Sequence, residues 1–151
     1  KVFPEDVLGD SENFMLPEDL LLPAGVVATG AYNEKTTHCG AGFRQRFVNP
    51  AISLAVTQQK LRRLAEERID VCVHMCPNCH VQFDRYHDVI AASSGERYPF
   101  VHLHVQQLLA LVLGADPDTV CGVGSHSQDV EPLLERIGAR TAVAFGGGLG
   151  R

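Results

Sequence analysis

The feature that most constrains this chain is Cys76-Pro77-Asn78-Cys79, set in residues 71–84, VCVHMCPNCHVQFD. An apolar, β-prone run (Ile69, Val71, Val73) stops there and a helical pattern starts. Where a strand hands over to a helix, the first free backbone N–H groups and the helix dipole favour a thiolate. Two soft thiolates three positions apart can grip one metal edge, and their softness selects zinc, copper(I) or iron–sulfur over magnesium or calcium. A Cys-x-x-Cys by itself also fits a zinc staple or a thioredoxin-like dithiol. A third cysteine, Cys39, shifts that balance towards a metal or cluster. Gly40 and Gly42 follow it, so its backbone can bend close around a bulky ligand. Cys39 and Cys76 are 37 positions apart, room for a loop, a helix and a strand. Both can therefore return to the end of the sheet where α/β folds place ligands.

Composition narrows the class. A chain of 151 residues suits one domain with a real core, here taken as a single domain over 1–151. The formal net charge is −5, and no Lys/Arg cluster exceeds Arg62-Arg63, which argues against nucleic acid. No apolar run approaches the roughly 20 residues of a membrane span. Five cysteines, without an apolar export segment after Lys1, point away from a secreted disulfide framework. The expected compartment is the cytoplasm. Lys1 in place of Met reads as a fragment, for instance a C-terminal one, so a further ligand can lie upstream.

Taken in order, residues 1–25 read as mostly loop, with one or two helical turns over 17–22 closed by Gly25. Residues 26–29 read as a strand. Asn49-Pro50 is a helix start, with Asn as cap and Pro in the first position. The spacing of Ala51, Leu54, Ala55, Leu61, Leu64 and Ala65 predicts an amphipathic helix of about 18 residues, broken only by a gap around Gln58. Its other face is expected to hold Lys60, Arg63, Glu66 and Glu67. The pattern then gives a strand at 69–73, a helix from about Asn78 to Ser93, a strand at 99–104 and an apolar helix at 105–113. A brief strand or loop at 120–123 follows, then a helix at 130–137 capped by Gly138. Residues 140–151 form a tail or a last strand. Strands alternating with helices predict an α/β domain, a small mostly parallel sheet flanked by helices.

With those residues in place, the sequence resembles the cysteine-rich CCG domain of the heterodisulfide reductase B subunit and related iron–sulfur oxidoreductase subunits. Its Cys-Cys-Gly element reads here as His38-Cys39-Gly40-Ala41-Gly42-Phe43, and its Cys-Pro-x-Cys-His as Cys76-Pro77-Asn78-Cys79-His80. The helix opening Asn49-Pro50-Ala51, the apolar helix ending Leu113-Gly114 and the segment His126 to Gly138 agree too. The likeness runs over roughly residues 10–140.

The resemblance implies a noncubane 4Fe–4S cluster on which a disulfide is cleaved or formed. It implies Cys39, Cys76 and Cys79 as ligands, with His38 standing where the family has the first cysteine of its pair. The family's upstream cysteine has no counterpart in residues 1–37. It implies an oxidoreductase acting on a disulfide, thiol or other sulfur substrate, with flavin-containing and ferredoxin-like subunits as partners. Three thiolates and one imidazole also compose a closed tetrahedral zinc set, so a zinc-stabilised assembly domain is the alternative. Similar domains serve lactate, glycolate and succinate oxidation, and the sequence does not choose among them.

The other candidates carry blander readings. Cys72 and Cys121 fit core positions better than ligand positions. His74 and His80 flank the Cys-x-x-Cys, either as donors to a cluster sulfur or as ordinary histidines. His87, His102, His104 and His126 have no partner the sequence names. Phe43, Arg44 and Arg46 fit a solvated loop better than an anionic substrate entrance. The 146–150 glycine run lacks the strand–turn–helix setting of a phosphate loop.

Overall fold

A computed structural model describes residues 16–29 and 32–145. The loop reading of residues 1–15 and the glycine run at 146–150 lie outside them. The described elements are α1 (Leu16–Leu21), α2 (Gln45–Val48), α3 (Pro50–Glu66), β1 (Val71–His74), α4 (Pro77–Ser94), β2 (Val101–His104), α5 (Val105–Val112) and α6 (Glu131–Phe145). The expected α/β class holds. β1 and β2 pair in parallel, with Val71 opposite Val101 and His74 opposite His104, and α4 makes the crossover between them.

The sheet separates two packed layers. Side chains alternate along a strand, so Val71, Val73 and Leu103 face one way. There they join Leu21, Leu108, Leu111, Val123 and Val130. Cys72, His74, His102 and His104 take the opposite face. On that side Leu61, Leu64, Phe83, Ile90 and Phe100 build the second core.

Helix ends follow the local chemistry. Asn49 caps α3 by accepting from the Ile52 N–H at 3.2 Å, and Pro50 occupies the first turn. Gly95 ends α4 in the left-handed region at φ +71. Two parts of the sequence reading are corrected. Residues 26–29 are not a strand, and 120–123 take the loop option, so the sheet has two strands among the described residues. Gly138 does not cap: α6 runs through it to Phe145, so residues 140–145 of the expected tail are helix. Gly138 does not take positive φ. A mid-helix glycine costs only about 1 kcal/mol, and the Ala-rich residues after it sustain the helix.

The long helix α3 also departs from its expected face. Ala51 and Ala55 are exposed, while Ser53, Thr57 and Lys60 are buried beside Leu61 and Leu64. The apolar gap is thus a polar row turned inward, and what it holds is the loop that carries Cys39.

Candidate metal centre

Three elements build the cysteine corner. The loop ahead of Cys39 is pinned by Lys60, whose Nζ donates to the carbonyls of Glu34 (2.6 Å) and Lys35 (2.9 Å) and lies 4.7 Å from the centre of the Tyr32 ring. Burial lowers the pKa of that ammonium. The Thr57 hydroxyl meets the Cys39 carbonyl at 2.8 Å and its own helix's Ser53 carbonyl at 2.9 Å. Gln82 of α4 donates from Nε2 to Ser53 Oγ (3.0 Å) and Thr57 Oγ1 (2.8 Å), which locks α3 to α4. Arg46 donates to the Asn78 side chain at 2.6 Å, tying α2 to the Cys-x-x-Cys turn. Gly40 is what lets the loop sit this close. It takes φ +93, and a Cβ there would stand 2.5 Å from the Ser53 carbonyl oxygen.

This scaffold brings Cys39 and Cys79, 40 positions apart, to an Sγ–Sγ distance of 3.1 Å. Cys39 is buried, Cys79 half-buried and Cys76 exposed. Cys76 is the residue before α4, with extended backbone and Pro77 in the first helical turn. The Cys79 and Asn78 amides face its sulfur and hold the thiol below its ordinary range, without closing a side-chain cap bond. Burial and the neighbouring Cys39 sulfur push Cys79 the other way.

His38 is exposed, and its Nδ1 accepts from the Gly40 N–H at 3.0 Å, so a metal bond from this ring would use Nε2. The donor set suits a soft metal or an iron–sulfur cluster. A tetrahedral zinc with bonds of about 2.3 Å separates its sulfurs by about 3.8 Å, so the 3.1 Å contact must open slightly around such an ion.

Behind the corner lies a layer that the sequence reading missed. His74 Nε2 meets His102 Nδ1 at 3.1 Å, and His102 Nε2 meets His87 Nδ1 at 3.0 Å. All three residues are buried, and Phe83 stacks on both His74 and His102. Burial lowers all three pKa values, His74 to about 3, so the rings are neutral. His126 bonds Asp84 from Nδ1 (3.0 Å) and Gln107 through Nε2 (3.0 Å). Burial alone would raise the Asp84 carboxyl, but His126 and the Ser127 amide more than offset it, and its pKa is lowered. His80 packs edge-on against His126, with its Nδ1 buried and unpartnered. The missed signal was alternation: Cys72 and His74 on one strand, His102 and His104 on its neighbour, all on one sheet face.

Residues 23–84 match the family model of the CCG cysteine-rich domain. Over 133 residues the chain is 41% identical to the B subunit of the ferredoxin:CoB-CoM heterodisulfide reductase of Methanosarcina acetivorans, covering 88% of this chain and 42% of that protein. It is 37% identical over 132 residues to the protein of the same name in Methanosarcina mazei, covering 85% of this chain and 42% of that one. An Archaeoglobus profundus protein, described as like the heterodisulfide reductase B subunit, is 26% identical over 139 residues, covering 90% and 46%. The chain spans less than half the length of these curated relatives. Among the described residues, no helix is long and apolar enough to cross a membrane.

Proposed function

We propose that this chain, whose residues 23–84 match the CCG cysteine-rich domain model, is an iron–sulfur part of a heterodisulfide-reductase-like B subunit. Its task is to pass electrons to or from a disulfide or thiol substrate. Cys39, Cys76 and Cys79 hold the cluster, with His38 Nε2 as the fourth donor. The observation that carries this reading is the 3.1 Å approach of Cys39 to Cys79, at the mouth of the helix that Cys76 opens.

When bound, such a cluster supplies single-electron steps and an iron site for a substrate sulfur. The chain supplies the rest. Thr57 and Gly40 fix the Cys39 backbone, and the α4 amides favour the deprotonated Cys76 that a metal bond requires. Splitting a disulfide consumes two electrons and two protons and yields two thiols. The electrons come from flavin-containing and ferredoxin-like partner subunits. Arg44 is exposed, and Arg46, two residues on, is tied to Asn78 beside the exposed cysteine; both suit an anionic substrate. The cytoplasm is the proposed location.

Anaerobic purification tests the reading. The expected protein is brown, contains iron and acid-labile sulfide, and loses most of both in Cys76→Ser. A colourless protein whose cysteine corner binds one zinc overturns it in favour of an assembly domain. Iron content unchanged by Cys76→Ser overturns the ligand set.

A further inference from the structure

We propose that Cys72, His74 and His102 form a second metal site, inside the domain and separate from the cysteine corner, that takes one tetrahedral borderline-soft cation, zinc. The site goes beyond the cluster reading and does not depend on it.

The sheet register builds the site. Cys72 and His74 are two positions apart on β1, so they share a face, and His102 on β2 is the register partner of Cys72. The Cys72 sulfur and one nitrogen of each ring all lie within 4.8 Å of one another. The two ring nitrogens, His74 Nε2 and His102 Nδ1, are 3.1 Å apart. Zinc–imidazole bonds of roughly 2.0–2.1 Å set a tetrahedral N–N edge of about 3.3 Å, so the rings already stand near that edge. One thiolate and two imidazoles are a donor set that zinc accepts, and that magnesium and calcium do not.

The far side of His102 is arranged as ligand histidines usually are. His102 Nε2 and His87 Nδ1 stand 3.0 Å apart and share one proton. With that proton on His102, its Nδ1 lone pair faces His74 and Cys72. An outer hydrogen bond that orients a metal-binding imidazole in this way is the common pattern.

Without an ion, the His74 Nε2–H fills the gap. With one, His74 carries its proton on Nδ1, and Cys72 releases its thiol proton to solvent. Cys72 also lines a cavity of about 750 Å³ with Tyr32, Leu64 and Met75, from which water completes the fourth position.

The test uses the full chain. Cys39→Ser/Cys76→Ser/Cys79→Ser removes the cysteine corner. After loading and dialysis this variant is expected to keep one zinc per chain. Cobalt(II) in its place should give tetrahedral d–d bands and a single-thiolate charge-transfer band. Adding Cys72→Ser should abolish that band and weaken zinc retention at least tenfold. No zinc above background in the folded triple variant overturns the proposal, and so does retention indifferent to Cys72→Ser.

If the triple variant does not fold, the single variants Cys72→Ser and His102→Gln decide. Each should lose one zinc while iron and sulfide stay at the level of the unaltered chain. Zinc unchanged in both overturns the site. Because iron and sulfide report on the cysteine corner separately, failure of the cluster reading is seen in a different measurement.

Discussion

The cysteine corner and the histidine layer are neighbours with opposite physics. In the corner, Cys76 is exposed at a helix mouth, and facing amides lower its thiol pKa. In the layer, Cys72 sits mid-strand, and burial pushes its thiol up to about 12. The corner is assembled from a loop and two helices, held by side-chain bonds to backbone carbonyls. The layer is assembled by the register of two strands and one histidine of the helix packed on them. Two sets of soft donors in one small domain are thus poised differently. One presents a thiol of lowered pKa outward, and the other keeps neutral groups paired until an ion replaces a proton.

Alkylation of metal-free, reduced protein at pH 7.5 should separate the two most widely. Cys76 is expected to react at least ~10³-fold faster than Cys72, because only the thiolate attacks and Cys72 is almost wholly protonated. Peptide mapping after timed iodoacetamide labelling reads the ratio. Comparable rates would erase the distinction drawn between the two regions.

Substituting one histidine from each region is the next test. His102 is fully buried with both ring nitrogens bonded. His102→Ala leaves a cavity and strands nitrogens of His74 and His87, at a cost of about 3–5 kcal/mol. His38 is exposed, and His38→Ala should change stability by less than about 0.5 kcal/mol. Urea midpoints of the metal-free variants measure both. Equal effects would mean that the layer is not the structural unit the hydrogen bonds imply.

The difference also explains what the sequence disclosed. The corner was legible because its chemistry is local: Cys-x-x-Cys at a strand end, Pro77 in a first turn, glycines beside Cys39. Its approach across 40 positions followed from counting elements. The inward row Ser53, Thr57 and Lys60 was not legible. A lysine on a helix reads as solvated until a loop offers it carbonyls, as Glu34 and Lys35 do. The histidine layer was hidden for a related reason. Its members come from β1, α4 and β2, and a lone histidine in a strand resembles any other core residue. The strand expected at 26–29 failed because a short apolar run forms a strand only where a neighbour completes the ladder.

Acid should attack the layer first. Burial lowers the pKa of His87 and His102 in the folded chain, whereas unfolded histidines titrate near about 6.5. Below that pH the unfolded chain takes up protons that the folded chain refuses. The stability from these two rings is therefore full above about pH 6.5 and falls as pH drops towards their folded values. The limiting linkage slope is about 1.4 kcal/mol per pH unit for each histidine that stays neutral in the folded chain. Denaturation midpoints of metal-free protein between pH 7 and 5 measure it, and a flat profile would show that the rings are not buried neutral.

The smallest effect separates two glycines. Gly40 and Gly95 both have positive φ, at +93 and +71, so an alanine at either is strained by its backbone. Only Gly40 has a wall in front of it. Its Cβ would meet the backbone oxygen of Ser53, which belongs to α3 and cannot swing aside, whereas nothing lies within 4 Å of a Cβ at Gly95. Gly95→Ala should therefore cost about 1 kcal/mol and leave metal content intact. Gly40→Ala should cost about 1–2 kcal/mol more and displace the Cys39 carbonyl from Thr57. The Cys39 sulfur then leaves Cys79, and iron and sulfide per chain should fall together with the urea midpoint. Stability lost without metal loss would place Cys39 in the core alone, and the corner would reduce to Cys76 and Cys79.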